Sequence, residues 1–359
     1  MISGGKSEIF EDQTPKEVMQ MKFKLVVCLL LVLGLAMSIS MAQKPLRFAN
    51  LVSNMANPFF VTMDEGSKAA AERFGVDVVT FDAVRDPALQ TKQMEDAIAA
   101  KFDAILLNPT DVEALVPAVK KANAAGIPVF SLDRDVIGGE RVVYIGTSNV
   151  AAAELGAYTM LGYLATSNKL RPWRVVILEG IPGASSAIER EEGFKNILNP
   201  FIEKGDVEIV ADLTANFDRA QGLSVMEDIL ARTKDIDAVI CANDEMCLGA
   251  LRAIEGAGLK AGFPDGIIMV GFDAIDDAVK AVEEGKFVAT IAQAPYIMGY
   301  WGVEAAYRYL TEGWEPPEVI YEPTGARWVA TPVVVVIKEN VETFAEIAKP
   351  AVPPPLPGK

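Results

Sequence analysis

The sequence predicts an α/β protein built from two parallel-sheet lobes. Short apolar runs alternate with longer helical patterns after Pro45, the alternation starts afresh near Arg174, and no long Pro/Gly/Ser linker separates the two series. With 359 residues, 51% of them apolar, the chain can fill two cores of ordinary size.

The first series has strand-like runs at 46–52, 76–81, 104–107, 128–131 and 142–145. Helical patterns near 59–74, 88–100 and 112–125 separate the first four, and Gly126 is a good stop for the last. Such β-α-β alternation implies a mostly parallel sheet covered on both faces. The second series places strands at 174–178, 207–211, 238–241, 267–271 and 288–291, with helices near 185–198, 218–231, 245–255 and 275–284. A helix near 296–310, a Pro-rich bend at 315–317, a β-branched run at 333–337 and a short helix follow. Crossings between the lobes are expected near 146–149 and 293–295, where they could hinge. The Pro-rich end 350–359 supports neither helix nor interior strand and reads as a mobile tail.

The N-terminal region reads as an export signal. Residues 1–20 are polar and precede an internal Met21, so they are kept out of the fold. From Met21 to Ala42, Lys22 and Lys24 supply a charged start, 25–39 an apolar stretch, and Ser40-Met41-Ala42 a small-x-small cleavage site. An uncleaved anchor is the alternative, since the run approaches the roughly 20 residues of a membrane span.

Composition narrows the function. Lys and Arg number 33 against 49 Asp and Glu, a formal charge of −16 that argues against a nucleic-acid partner. With no histidine, the chain cannot run a Ser-His or Cys-His nucleophile and lacks the commonest metal ligand. No GxSxG, P-loop or strand-linked GxGxxG is present, so no enzyme activity, metal or cofactor is expected. Cys241 ends a predicted strand and Cys247 lies inside the next helix, which favours two buried thiols over a disulfide.

Four short segments sit at predicted strand ends: NPFF at 57–60, LDR at 132–134, NDEM at 243–246 and GFD at 271–273. Open parallel sheets bind ligands outside the carboxyl ends of their strands. Aromatic faces beside carboxylate, amide and guanidinium groups suit a polyhydroxylated ring, whose C–H faces stack while its hydroxyls need paired donors and acceptors. Taken singly, each segment has a plainer reading. One of Phe59 and Phe60 could be core, Asp133-Arg134 a surface pair, and Asn243 or Asp244 a helix cap. Trp173, Trp301, Trp314 and Trp328 lack matched polar neighbours and read as packing residues.

Over roughly 45–340, the order and spacing of NPFF, LDR, NFDRAQGL, NDEMCLGALRA, GFD and TIAQ resemble periplasmic sugar-binding proteins of the ribose-binding type, the type I solute receptors of ABC importers. The resemblance implies two Rossmann-like lobes, three crossings (the third near 330–332) and a cleft that closes on one sugar. The N-terminal lobe would comprise 44–147 with 294–330, the C-terminal lobe 148–293 with 331–348, and the tail 349–359. It further implies Ser53, Asn57, Phe59 and Phe60 on the first wall with Asp133 and Arg134 bonding hydroxyls, and Phe217, Asn243, Phe272, Asp273 and Gln293 on the second. The implied partners are a monosaccharide or polyol and ABC permease subunits, with a chemoreceptor as a further possibility. A monomer in the periplasm is expected. A sugar-sensing repressor with the same core would need a basic helix-turn-helix where this chain has Leu-rich sequence.

One departure stands out. Within GASSAIEREEGF, Ile188 occupies the position where the resemblance implies a sugar-bonding arginine, and Arg190, two residues further along the helix, is expected to face elsewhere. An isoleucine there would leave a ligand hydroxyl unpaired, which counts against ribose and favours a deoxy sugar, another aldose or a polyol.

Overall fold

Strand β1 (Arg47–Val52) shows how the sequence builds its sheets. Phe48 and Val52 enter the core on one side of the sheet, while Ala49 and Leu51 enter the core on the other. Side chains alternate along a strand, so a parallel sheet buried on both faces needs an apolar run without polar breaks. The computed structural model describes residues 44–359 together with Lys16, Met19, Gln20, Phe23 and Lys24. The expected export signal at 21–42 and the extra start at 1–20 lie almost wholly outside the described residues. Among these, no helix is long and apolar enough to cross a membrane.

The chain continues through α1 (Pro58–Phe74), β2 (Asp77–Asp82), α2 (Pro87–Ala99), β3 (Ala104–Leu107), α3 (Val116–Ala124), β4 (Val129–Leu132) and β5 (Val143–Gly146). A second series runs α4 (Asn149–Thr166), β6 (Trp173–Glu179), α5 (Ser185–Glu203), β7 (Val207–Thr214), α6 (Arg219–Arg232), β8 (Ala238–Cys241), α7 (Asp244–Gly256), β9 (Ile268–Asp273), α8 (Asp276–Glu283) and β10 (Ala289–Ala292). The end comprises α9 (Pro295–Glu312), β11 (Ile320–Tyr321), β12 (Ala326–Ala330), β13 (Val334–Val336) and α10 (Ala345–Ala348).

Two sheets result, ordered β11-β12-β5-β4-β3-β1-β2 and β13-β10-β9-β8-β6-β7. All pairings are parallel except β11 with β12 and β10 with β13. In each sheet the first strand of its series (β1 or β6) lies between the second and third, so the winding reverses beside it. Crevices at such reversals are where doubly wound sheets take ligands.

The chain passes between the sheets three times: after β5, after β10 and after β12. The first and third passages lie side by side. Thr147 Oγ1 and Thr331 Oγ1 are 3.3 Å apart, and Thr331 N and Trp328 Nε1 both donate to Gly146 O. Cys241 and Cys247 are buried and form no disulfide, and Cys247 Sγ donates to Val270 O at 3.6 Å.

Four sequence expectations need correction or extension. Helix α4 was not expected, because its Ala- and Leu-rich sequence carries no clear polar stripe; it packs over β9 and β10, with Gly156 against Ile291 and Val270. Strands β11 and β12 extend the first sheet where only a bend was legible. Helix α5 runs on to Glu203 with Pro200 inside it. The Pro-rich tail is not mobile but docked. Trp301 Nε1 donates to Pro354 O at 2.8 Å, Glu315 and Lys359 exchange backbone hydrogen bonds, and Leu356 joins the core of the first sheet.

Candidate functional site

Polar residues follow the strand ends of the first sheet. Ser53 comes after β1, Asn108 after β3 and Asp133 after β4, so all three reach the edge where the winding reverses. Asn108 is fully buried and ties them together. Its Oδ1 accepts from Ser53 N at 3.1 Å, and its Nδ2 donates to Leu132 O at 3.1 Å and to Asp133 Oδ2 at 3.0 Å. Asp133 has φ 61°, a left-handed conformation that aspartate tolerates better than most residues.

Asn57 starts α1. Its side chain accepts from Phe59 N at 2.9 Å, and Pro58 presets the first helical φ. This fixes Phe59 and Phe60 on the first turn, packed edge to face with centroids 5.2 Å apart. Arg134 lies between aromatic faces, 5.3 Å from the Phe60 centroid and 5.4 Å from that of Phe217 on the other lobe. Its Nε donates to Ser186 Oγ at 3.1 Å and its NH1 to Ser53 Oγ at 3.4 Å.

The opposite wall comes from the second sheet. Phe217 follows β7 with φ 53°, and its amide donates to Met246 Sδ at 3.2 Å. Gly180 is required here, since a Cβ at that position would run into the Phe217 ring. Asn243 caps α7 by accepting from Met246 N at 3.0 Å. Asp273 ends β9 with φ 114°, a conformation that L-residues rarely adopt and that costs on the order of 1–3 kcal/mol. Gln293 Nε2 donates to Asp273 Oδ1 at 2.8 Å. Asn243 Nδ2 and Gln293 Oε1 are buried and hydrogen-bond to no protein atom, which makes them a donor and an acceptor waiting for a partner.

These walls close on a narrow space of about 10 Å³, room for about one water molecule. Nine of the twelve expected residues line it: Asn57, Phe59, Phe60, Asp133, Arg134, Phe217, Asn243, Asp273 and Gln293. Ser53 instead lines an adjoining void and contacts Arg134. Phe272 is fully buried behind the cavity, where its ring carries the Arg190 guanidinium at 3.7 Å.

Ile188 is the clear error. It is 50% exposed and does not line the cavity, whereas Arg190 is 3% exposed and does. Arg190 NH1 donates to Ala242 O at 2.6 Å and lies 3.4 Å from Asp273 Oδ1, while its Nε donates to Asn149 Oδ1 at 3.0 Å. Two residues along a helix turn the side chain by roughly 200°, so the face that α5 turns to the cleft decides which residue enters. That face carries Ser186 and Arg190. Ile188 therefore no longer counts against ribose.

Two Asp and two Arg side chains meet in this small space. Burial pushes the Asp273 carboxyl up to about 7 against the opposing pull of Arg190, and it raises Asp133 against the pull of Arg134. Burial likewise lowers Arg134, with Asp133 holding it up. The formal charges cancel, so the set suits a neutral ligand with many hydroxyls better than an ion.

Contacts outside the cavity hold the lobes together: Arg85 NH1 with Asp218 Oδ2 at 2.9 Å, Val112 N with Gly183 O at 3.0 Å, and Asp135 N with Ser185 Oγ at 3.4 Å. The cleft is closed. A wider groove borders it at Phe59, Asp273 and Gln293 and runs out to Glu65 and Lys349, but it lacks the arginines and Phe217. Elsewhere among the described residues, Glu179, Glu191 and Asp212 bring carboxylates together. Lys195 pairs with all three, so they form an ion-pair network.

Comparison with known proteins agrees with this architecture. Residues 48–313 match the periplasmic binding protein domain. The ribose import binding protein RbsB of Haemophilus influenzae is 40% identical over 278 residues, 77% of this chain and 90% of the relative. RbsB of Bacillus subtilis is 39% identical over 255 residues, 71% of this chain and 78% of the relative. Among solved structures, the Caulobacter myo-inositol binding protein bound to myo-inositol superposes with a TM-score of 0.74 at 28% identity, covering 85% of this chain and 97% of that one. With its two parallel sheets, three passages and a cleft between them, this chain belongs to the periplasmic binding protein family.

Proposed function

We propose that the protein captures a neutral monosaccharide between its lobes and presents the closed complex to an ABC permease, with D-ribose as the first ligand to test. One observation carries this reading. A charge-balanced set of Asp133, Arg134, Arg190 and Asp273 is enclosed with the faces of Phe59, Phe60 and Phe217, alongside an unsatisfied amide donor and acceptor at Asn243 and Gln293. Hydroxyls both donate and accept, so a sugar can satisfy all of these groups at once. Hydrogen bonds to charged groups contribute roughly 1.5–3 kcal/mol each, and a few of them reach the ~8 kcal/mol of micromolar affinity.

The relatives named ribose import proteins support ribose, and Arg190 removes the objection to it. D-Allose and myo-inositol remain the competitors to test, since proteins named for them are also similar to this chain. No covalent step is involved; the work is binding and release. Closure would pivot about the three passages, with residues 44–147 and 294–330 moving against 148–293 and 331–348. Only contacts made in the closed form can drive that shift. One chain supplies both walls, which supports a monomer, and the −16 charge supports a partner other than nucleic acid. Export to the periplasm accords with the family and with the sequence pattern at 21–42.

A thermal-shift panel of D-ribose, D-allose, myo-inositol and 2-deoxy-D-ribose tests this reading. A ligand at 100 times its dissociation constant stabilises by about 2.7 kcal/mol. D-Ribose is expected to raise the melting temperature most, with 2-deoxy-D-ribose well behind because it leaves a charged partner unpaired. No shift with any neutral sugar or polyol would overturn the proposal.

A further inference from the structure

Asn149 is fully buried at the first position of α4, immediately after the first passage between the lobes. Its two amide atoms are engaged in different directions. Oδ1 accepts from Arg190 Nε at 3.0 Å, while Nδ2 donates to Glu189 Oε2 at 2.9 Å. Glu189 is also buried. Thr147, two residues before Asn149, meets Thr331 of the third passage at 3.3 Å. Asn149 Nδ2 also reaches Thr147 O at 3.5 Å, so a line of hydrogen bonds runs from the passages through Thr147 and Asn149 to the guanidinium in the cavity, with Glu189 holding Asn149 from the side.

We propose that Asn149 and Glu189 are positioning residues that set the orientation of Arg190 and couple it to the hinge. An arginine needs more than charge to meet hydroxyls along fixed directions. Its planar fork must be held, and here the Phe272 ring fixes the plane while Ala242 O and Asn149 Oδ1 fix the rotation within it. Asn149 is the member of that set anchored beside a passage. When the lobes move, its carbonyl moves with the hinge, so Arg190 is aligned for ligand when the Thr147 and Thr331 passages take their closed arrangement. Without Asn149, a buried Nε–H loses its acceptor and the fork can swing away.

This inference rests on the sugar-binding reading, and the experiment separates the two. Calorimetry with D-ribose, D-allose and myo-inositol on the wild-type protein comes first; if none binds, the reading itself fails. Where the wild type binds, Asn149→Ala is expected to weaken affinity roughly tenfold to a hundredfold, the effect of orphaning a buried charged donor. In an Arg190→Lys background, which keeps the charge but has no Nε–H, the same substitution is expected to cost less than about threefold. Glu189→Ala should weaken binding, and Glu189→Gln should restore it, since a glutamine Oε1 still accepts from Asn149. Equal losses from Asn149→Ala in the wild-type and Arg190→Lys backgrounds would overturn the relay. Should Asn149→Ala fail to fold, the Glu189 pair decides alone, and equal affinities for its Ala and Gln variants would overturn it.

Discussion

Both walls of the cleft use an asparagine at the start of a helix, Asn57 before α1 and Asn243 before α7, but the two do different jobs. Each side-chain oxygen caps its helix, at 2.9 Å and 3.0 Å. On the first wall the surrounding groups are already committed within the protein: Asn108 holds Asp133 and Ser53, and Ser186 and Ser53 hold Arg134. On the second wall Asn243 Nδ2 and Gln293 Oε1 have no protein partner, and Asp273 sits at φ 114°. The first wall is a finished surface, whereas the second keeps free hydrogen-bonding capacity. Ligand should therefore contribute more on the second wall, which concentrates affinity and specificity there.

The sharpest break of this asymmetry is Asp273→Ala. It removes the carboxylate that faces Arg190 and Gln293, leaving a buried cation and amide unpaired. Losses of roughly 3–5 kcal/mol are typical of such broken pairs, so sugar binding should fall by more than about a hundredfold in calorimetry while the far-ultraviolet circular dichroism is kept. Micromolar binding by this variant would show that the second wall does not dominate.

Next in size is a matched pair of cap-preserving substitutions. Serine caps helices well, so Asn243→Ser and Asn57→Ser should each leave thermal stability within about 1 kcal/mol. Asn243→Ser also deletes the free Nδ2 donor and is expected to weaken sugar binding about tenfold or more. Asn57→Ser should cost clearly less, and the reverse ranking would invert the comparison.

Protonation gives a third test. Burial holds the Asp273 and Glu189 carboxyls up at about 7 each, so the folded protein binds these protons more tightly than the unfolded chain does. The resulting stability is fully present below the ordinary carboxylate range near about 4, and it is lost as pH rises through about 7. The ligand-free protein should therefore melt lower at about pH 8 than at about pH 5, and Asp273→Asn should flatten that slope. Sugar hydroxyls donating to Asp273 favour its charged form, so binding near pH 7 should release protons. The calorimetric enthalpy should then differ between phosphate and Tris buffers; identical enthalpies would remove Asp273 from the ligand contacts.

The smallest effect is expected from Ile188→Arg. With half its surface in solvent and no part in the cavity, this residue should change ribose affinity by less than about twofold.

Much of the architecture was legible because it follows from local rules. Runs such as 104–107 and 238–241 are short and continuously apolar, as strands buried on both faces are, and Asn57-Pro58 and Asn243 sit at helix starts. Helix α4 escaped because it is apolar on nearly every side, so its sequence has no period to read. The tail escaped because composition alone suggested freedom, while Trp301 and the backbone of Glu315 lay waiting far away in sequence to hold it.

By itself the sequence determined the order of strands and helices, the caps, and the ring of polar and aromatic residues at strand ends, because each depends on neighbours within a turn or a strand. Only the tertiary structure decided that α5 turns Ser186 and Arg190 inward and Ile188 outward, that Phe272 supports an arginine instead of a ligand, and that Asn149 stands between Arg190 and the hinge. Those choices are made by packing between residues 41 and 83 positions apart, Asn149 with Arg190 and Arg190 with Asp273, while the local pattern of α5 left open which of its polar residues enters the cleft.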